Sequence, residues 1–448
     1  TSIYFGTQYT IYNQDYHHSF FILSMYIDHK NGFEYFNDIF LKYGPGQIIF
    51  FHIVNFIFEI NLITISNLNV ILYAINLFIL FKIFKKISNE LFSFILIFII
   101  FLIHPFSIYP WPDYLSGISL SLFIYTFLKK ENTKYAFLSS FFLFLSFFFR
   151  STYLVNISLS IISFSIFFLI LNKKNPFKKE FFFFILYSIV YLIVLLYNKY
   201  LVLWFNESLG IIGGYAQETK HLELYEKVTN YFGEIGFIVL KIFYYFFRSS
   251  KNLLDLSNSN NYIFIFFIIT NFIFIYEFFK SKIEISFLEK KILFISLLGL
   301  SGFSQSLMLM EVFRNINATI GIFVVSLFLM KKKNDLIKKY QRIIYSIVLI
   351  YLFVLLNNFT IPKYNKDDYE IYDNRYFSSV KKVNKEIKKY YENLESVICS
   401  MDNISLVNIT NDFAIPYICE NQFIKSKSSM PKLFLKTSKF NEYNRIFN

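Results

Sequence analysis

Long apolar blocks separated by short lysine-rich loops govern what this chain can fold into. A helix needs about 20 residues to cross a hydrocarbon layer about 30 Å thick. Within that layer every backbone N–H and C=O must be satisfied by the protein itself, so only helices and closed barrels cross it. Barrel strands alternate apolar and polar side chains, and these blocks do not. Composition agrees: 55% of the 448 residues are hydrophobic and 22% aromatic, against about 45–50% apolar in a soluble domain. The 62 phenylalanines fit the codon bias of an AT-rich genome and are not read as a functional feature. The same bias scatters Asn-x-Ser/Thr sites such as Asn403 and Asn408.

The chain therefore reads as an all-α polytopic membrane protein. About ten spans fall near 66–86, 90–106, 114–129, 135–149, 153–171, 181–204, 262–279, 290–309, 316–330 and 342–358. The short neighbouring pair 135–149 and 153–171 suggests a broken or tilted helix. Residues 1–358 form the transmembrane region, and 359–448 a small extracytoplasmic α/β domain with a charged helical run near 377–396 and strand-like runs such as 404–409. The chain opens at Thr1 with neither methionine nor a signal peptide, so a first transmembrane helix is expected upstream.

Orientation follows from positive charge in short loops. Lys82, Lys85 and Lys86, then Lys129, Lys130 and Lys134, then Lys173, Lys174, Lys178 and Lys179 fall in alternate loops. Lys280, Lys282, Lys290 and Lys291 continue the series, and Lys331, Lys332, Lys333, Lys338, Lys339 and Arg342 end it. The opposite loops are poor in Lys and Arg, and 104–113 has neither. The lysine side is cytoplasmic on this reading, and both visible termini lie outside, at the plasma or inner membrane. The net charge of +13 reflects these loops. No nucleic-acid-reading motif accompanies it, so no nucleic-acid partner is expected.

The outer side carries the irregular sequence: residues 1–65, with a short apolar helix near 46–60, the loop 205–261, with an amphipathic stretch near 234–251 that suits the membrane surface, and the C-terminal region. Cys399 and Cys419, the only cysteines, both fall in that last region and can pair in an oxidising compartment.

No phosphate-binding glycine loop and no Cys/His metal spacing is present. What remains are charged residues beside the membrane on the outer side. Asn13-Gln14-Asp15-Tyr16-His17-His18 is dense in polar groups for so apolar a chain. Asp15 there suits a general base, and equally a helix N-cap. Adjacent helix positions point about 100° apart, so joint metal ligation by His17 and His18 is disfavoured. Asp38 precedes Tyr43-Gly44-Pro45-Gly46, a turn signal ahead of an apolar helix. Trp111-Pro112-Asp113-Tyr114 fits an interfacial belt, but Asp113 is a carboxylate at the end of a membrane helix, and such groups are costly unless partnered. Arg150, Arg248 and Arg314 stand on the cation-poor side. Each suits a phosphate by charge-assisted hydrogen bonds, or a lipid headgroup reached by snorkelling.

The order of these features resembles the glycosyltransferase C superfamily, membrane enzymes that use polyprenyl-phosphate sugars, and within it the protein O-mannosyltransferase and aminoarabinose transferase type. Asp15 with His17 and His18 resembles the acidic motif of the first outer loop, Asp38 to Gly46 its Tyr-Gly-Pro end, and Asp113 the acidic element of the second outer loop. Arg150-Ser151-Thr152 fits a weaker pattern, and the likeness covers roughly residues 10–175. The C-terminal domain has no counterpart in the pattern.

The resemblance implies transfer from a polyprenyl-phosphate sugar to a hydroxyl on a lipid, glycan or protein acceptor. Asp15 deprotonates that hydroxyl, which attacks the anomeric carbon in line and inverts it. Asp113 orients the acceptor, tunes Asp15 or helps to hold a divalent metal. Arginine stabilises the departing phosphate. His17, His18, Asp38 and Tyr43 line the substrate, with Arg150, Arg248 and Arg314 as phosphate ligands. A polysaccharide polymerase or ligase, a transporter of lipid-linked glycans and a non-catalytic assembly subunit are the competing readings. Transporters carry charges and broken helices near the midplane, whereas the acids here sit in loops or at helix ends.

The orientation has a direct test. A reporter fused after Lys333 should read as cytoplasmic and one fused after Asn448 as external. A cytoplasmic signal from the second would refute the arrangement.

Overall fold

A computed structural model of the chain describes residues 2–12, 16–39, 41, 43–103, 112–129, 132–171, 173–208, 259–280, 286–303, 316–331, 335–358, 364–372, 374, 377 and 381–400. The described helices are α1 (Ser2–Tyr12), α2 (Tyr16–Lys30), α3 (Gly46–Asn55), α4 (Leu62–Ile87), α5 (Glu90–Ile103), α6 (Pro112–Phe127), α7 (Thr133–Phe149) and α8 (Tyr153–Ile170). They continue as α9 (Lys178–Tyr197), α10 (Leu201–Ser208), α11 (Ser259–Lys280), α12 (Phe287–Ser301), α13 (Ile320–Lys331), α14 (Asp335–Asn358) and α15 (Lys385–Ile398). Two short strands, β1 (Tyr369–Ile371) and β2 (Lys382–Asn384), complete the set.

Each apolar stretch singled out in the sequence holds a helix, α4 to α9 and α11 to α14. Among the described residues three of them, α4, α8 and α9, are long and apolar enough to cross a membrane. Local chemistry sets their starts. The Asn61 side chain accepts from the Thr64 amide at 2.9 Å ahead of α4, and Asn132 does the same for Lys134 at 3.0 Å ahead of α7. A reciprocal Ser286–Glu289 capping box opens α12. The stretch 181–204 is not one helix. It stops at Tyr197, where the Asn198 side chain takes the Val194 carbonyl at 2.8 Å. Lys199 then adopts a φ of 60°, a left-handed backbone that ends helices, and α10 starts afresh at Leu201. α7 and α8 are each continuous, and the turn Arg150–Thr152 separates them.

Phe182, Ile189, Ile193 and Leu196 of α9, Phe78 of α4, Phe272 of α11 and Phe353 of α14 are exposed. Apolar surface this extensive suits a lipid surround and not water. Between helices the contacts are polar and close, as in membrane bundles. Ser296 donates to Asn271 Oδ1 at 2.7 Å, and Asn271 Nδ2 to the Ile322 carbonyl at 3.1 Å, joining α11, α12 and α13. Ser160 and Ser301 meet at 2.6 Å between α8 and α12.

Two ends can be told apart. At one end the lysine loops gather: Lys86 donates to the Leu128 carbonyl, Lys291 to the Lys129 carbonyl at 2.8 Å and Lys179 to Thr133 Oγ1 at 3.3 Å. At the other end the first segment meets the α7–α8 turn and α10, as described below.

The C-terminal region also meets the first segment. Tyr12 of α1 stacks on Tyr364 at 5.0 Å and meets Tyr369 edge-on at 5.2 Å. Phe20 of α2 lies 4.8 Å from Phe377. β1 pairs antiparallel with β2, Glu370 opposite Val383, and Lys388 of α15 reaches Glu370 at 2.9 Å. The helical run expected over 377–396 starts later, at Lys385, because residues 382–384 are drawn into the strand pair and the Asn384 side chain caps the Glu386 amide at 2.9 Å. Cys399 is disulfide-bonded. Its one available partner in the chain, Cys419, lies outside the described residues, as do the runs near 404–409 and 234–251.

Lys381 is buried at 1% exposure and donates to the Thr10 carbonyl of α1 at 2.8 Å. Burial pushes its pKa down to about 7. The unfolded state thus binds the extra proton between that value and about 10.4, the ordinary lysine pKa, so stability rises with pH across this window. Protection factors for hydrogen exchange at β2 and α1, corrected for the intrinsic base catalysis of exchange, should rise from pH 7 to pH 9. Lys381→Met should flatten that dependence.

Candidate functional site

The α7–α8 turn is the best-defined junction on the side opposite the lysine loops. α7 ends at Phe149 and α8 starts at Tyr153, leaving Arg150, Ser151 and Thr152 between two apolar helices. Their amides need acceptors, because an unpaired buried backbone group costs about as much as a lost hydrogen bond. Tyr43 supplies one. Its carbonyl accepts from the Ser151 amide at 2.9 Å and from the Ser151 hydroxyl at 3.2 Å. Trp204 of α10 donates its indole N–H to the same hydroxyl at 2.8 Å. Ser208 of α10 donates to the Leu41 carbonyl. Three segments far apart in sequence are thereby tied together.

Gly44 makes the approach feasible. Its φ is +95°, and a Cβ there would stand 2.5 Å from Ser151 Oγ. Glycine alone meets both demands. Pro45 then occupies the N-cap of α3.

Arg150 is 5% exposed. Its Nε donates to Thr152 Oγ1 at 3.1 Å, and its guanidinium carbon lies 5.2 Å from the centroid of the Tyr43 ring. This is a cation–π contact of the kind that strengthens when water is excluded. Tyr43 packs edge-on against Phe21 of α2 at 6.0 Å, so the arginine is braced from the first segment.

Of the residues singled out in the sequence, Tyr43 and Arg150 are brought together. Asp38 sits in the preceding turn, where its carboxylate accepts from the Glu34 amide at 2.9 Å. Phe36 beside it packs on Tyr200 at 5.5 Å, between α9 and α10. His17 and His18 lie in the first turn of α2, and Asp113 is the second residue of α6; their side chains lie outside the described residues. Asp15, Arg248 and Arg314 also lie outside them. Among the described residues no group of three or more His, Cys, Asp or Glu gathers as a metal site.

One cluster went unmarked in the sequence. His29 Nδ1 and His52 Nε2 are 2.8 Å apart, and the His29 ring stacks on Tyr35 at 3.9 Å. Burial lowers both pKa values; the neighbouring His52 adds to the effect on His29, and Lys30 to that on His52. Both imidazoles are therefore neutral at pH 7, one donating and the other accepting. The pair ties α2 to α3. Only a contact between residues distant in sequence brings them together, so no local motif announces it.

Comparison with protein-family models, with curated proteins and with solved structures gives no match.

Gly44→Ala tests the junction. A non-glycine residue in that backbone region costs on the order of 1–3 kcal/mol, and the Ser151 contact adds to it. Thermal unfolding in nanodiscs should fall accordingly, whereas Gly32→Ala, also at positive φ but with nothing within 4 Å of its Cβ, should cost less.

Proposed function

We propose that the chain is a membrane glycosyltransferase that moves a sugar from a polyprenyl-phosphate donor to an acceptor hydroxyl at the outer face of the plasma or inner membrane, with inversion. On this reading about ten helices span the bilayer and the C-terminal region lies outside, against the first segment. The observation that carries the reading is the meeting of Tyr43 and Arg150 at 5.2 Å. Two stretches that resemble the glycosyltransferase C superfamily, far apart in the chain, form one junction on the side away from the lysine loops.

The chemistry suits that place. A polyprenyl phosphate keeps its tail in the bilayer and its head at the interface, so the groups that act on it belong beside the helix ends. Arg150 is held by Thr152 and Tyr43, and its buried positive charge suits the phosphate, whose charge grows as the sugar leaves. A fixed cation in a dry site stabilises that charge without reorganising. Asp15, the residue before α2, takes the proton from the acceptor hydroxyl. On this reading Asp113, in the first turn of α6, acts beside Asp15 and raises its pKa by like charge. The acceptor is a lipid, glycan or protein hydroxyl, and Arg248 and Arg314 are further candidates for the phosphate.

Asp15→Asn keeps the size of the side chain and removes the base. Turnover in a transfer assay with purified full-length protein should fall about 10²–10⁴-fold with donor binding retained. Undiminished transfer would remove Asp15 from the mechanism. Arg150→Ala should weaken donor-lipid binding and Arg150→Lys restore only part of it, since lysine lacks the planar fork. Unchanged binding by both would refute the phosphate role.

A further inference from the structure

α3 ends in an apolar tip. Ile53, in its last turn, is 58% exposed, and Phe56, Ile57 and Phe58 just beyond it are 89%, 75% and 59% exposed. Between His52 and Glu59 the one polar side chain is Asn55, and it is half-buried. A lone exposed apolar residue is ordinary, but four large ones on a single turn mark a surface that meets something other than water.

The backbone of the tip is closed on itself. The Phe56 amide donates to the Ile53 carbonyl at 3.3 Å, and the Ile57 and Phe58 amides both donate to the Val54 carbonyl, at 2.9 and 3.0 Å. These three donors need no water, a condition that hydrocarbon imposes and water does not.

Depth fits as well. Lys82 of α4 lies over the Phe78 ring at 5.1 Å, at the end where the lysine loops gather. From Lys82 back to Leu62, α4 rises about 30 Å at about 1.5 Å per residue, which is the thickness of a hydrocarbon core. Leu62 therefore stands at the outer boundary of that layer, and the tip immediately precedes it in the chain. Ile71, Ile75 and Phe78 of α4 are exposed, so the chain passes from the tip straight into a lipid-facing helix. The root of α3 is also at the outer side: Gly46 packs against the Phe148 carbonyl and Phe50 meets Phe149 at 6.0 Å, both at the outer end of α7. With 10 residues, α3 is too short to cross the bilayer. It suits an interfacial segment, whose apolar face sinks about 5–10 Å into the boundary between headgroups and acyl chains.

We infer that residues 53–58 dip into the outer leaflet of the bilayer, with Ile53, Phe56, Ile57 and Phe58 among the acyl chains next to the headgroups. α3 runs directly from Gly44 and Pro45 to this tip, so the anchored helix holds the Tyr43 end of the first segment at the depth of the headgroups. The inference needs the chain to be in a membrane and does not depend on the transferase reading.

A nitroxide label on a single added cysteine tests the depth, using the full chain in nanodiscs. Cys399 is disulfide-bonded and Cys419 is its one available partner in the chain, so only the added thiol takes the label. Relaxation of the label by oxygen, which concentrates among acyl chains, is compared with relaxation by a water-soluble nickel chelate. Phe56→Cys and Ile57→Cys are read against two references, Phe272→Cys on α11 and Tyr390→Cys on α15, both exposed positions. The oxygen-to-nickel ratio at the tip should match that at Phe272 and exceed that at Tyr390 severalfold. Either tip variant alone decides the question if the other does not fold. A ratio at or below that of Tyr390 would place the tip in water and overturn the inference. Shielding from both relaxants would mean that protein, such as a second copy of the chain, covers the tip, and would overturn it too. A water-like ratio at Phe272 as well would remove the membrane reading from which the inference starts.

Discussion

The hydrogen bond from the Ser151 amide to the Tyr43 carbonyl, 2.9 Å long, answers a demand set by the environment of the chain. A three-residue turn between two apolar helices exposes amides that a helix would otherwise satisfy. Lipid cannot satisfy them, so another segment must. That segment is the end of the first loop, and its Gly44 exists in the left-handed region so that the carbonyl of Tyr43 can turn toward the amide. Trp204 then takes the Ser151 hydroxyl, which fixes α10 and, through Ser208 and Leu41, closes the loop from its other side. The buried arginine beside this junction is held because the backbone around it is already fixed.

The opposite end solves the same problem with charge. The carbonyls of Leu128 and Lys129, just past the end of α6, accept from Lys86 and Lys291, lysines carried by α4 and α12. Cations at a helix C-terminus oppose the partial negative charge of the last turn. One end of the bundle thus spends its lysines on helix ends, while the other holds the buried Arg150 guanidinium over the Tyr43 ring. A charge shielded from water acts strongly on an anion that approaches it, which is why the transferase reading centres there.

The helices were legible because apolar blocks near membrane length admit few alternatives, and each of the ten stretches holds one. Their ends were less so. Asn198 and Lys199 divide the 181–204 stretch through cap and backbone geometry that hydropathy averages away. The late start of α15 has a similar cause, since strand pairing claims residues 382–384. In the candidate site, Tyr43 and Arg150 could be named from local sequence, but not their meeting. The importance of Ser151 and Trp204 lies in contacts across the chain, which local sequence does not announce. The His29–His52 pair was invisible for the same reason: each member is ordinary in its own helix, and only packing brings the two together.

The central claim is chemical, and the stereochemistry of the product tests it most directly. Full-length protein in nanodiscs would be incubated with polyprenyl-phosphate sugars and an acceptor extract, and the released polyprenyl phosphate and the anomeric configuration of the new linkage measured by NMR. A single displacement by an acceptor hydroxyl predicts release coupled to transfer, with the anomeric centre inverted. Release with retention, or no release across the panel of sugars, would contradict it.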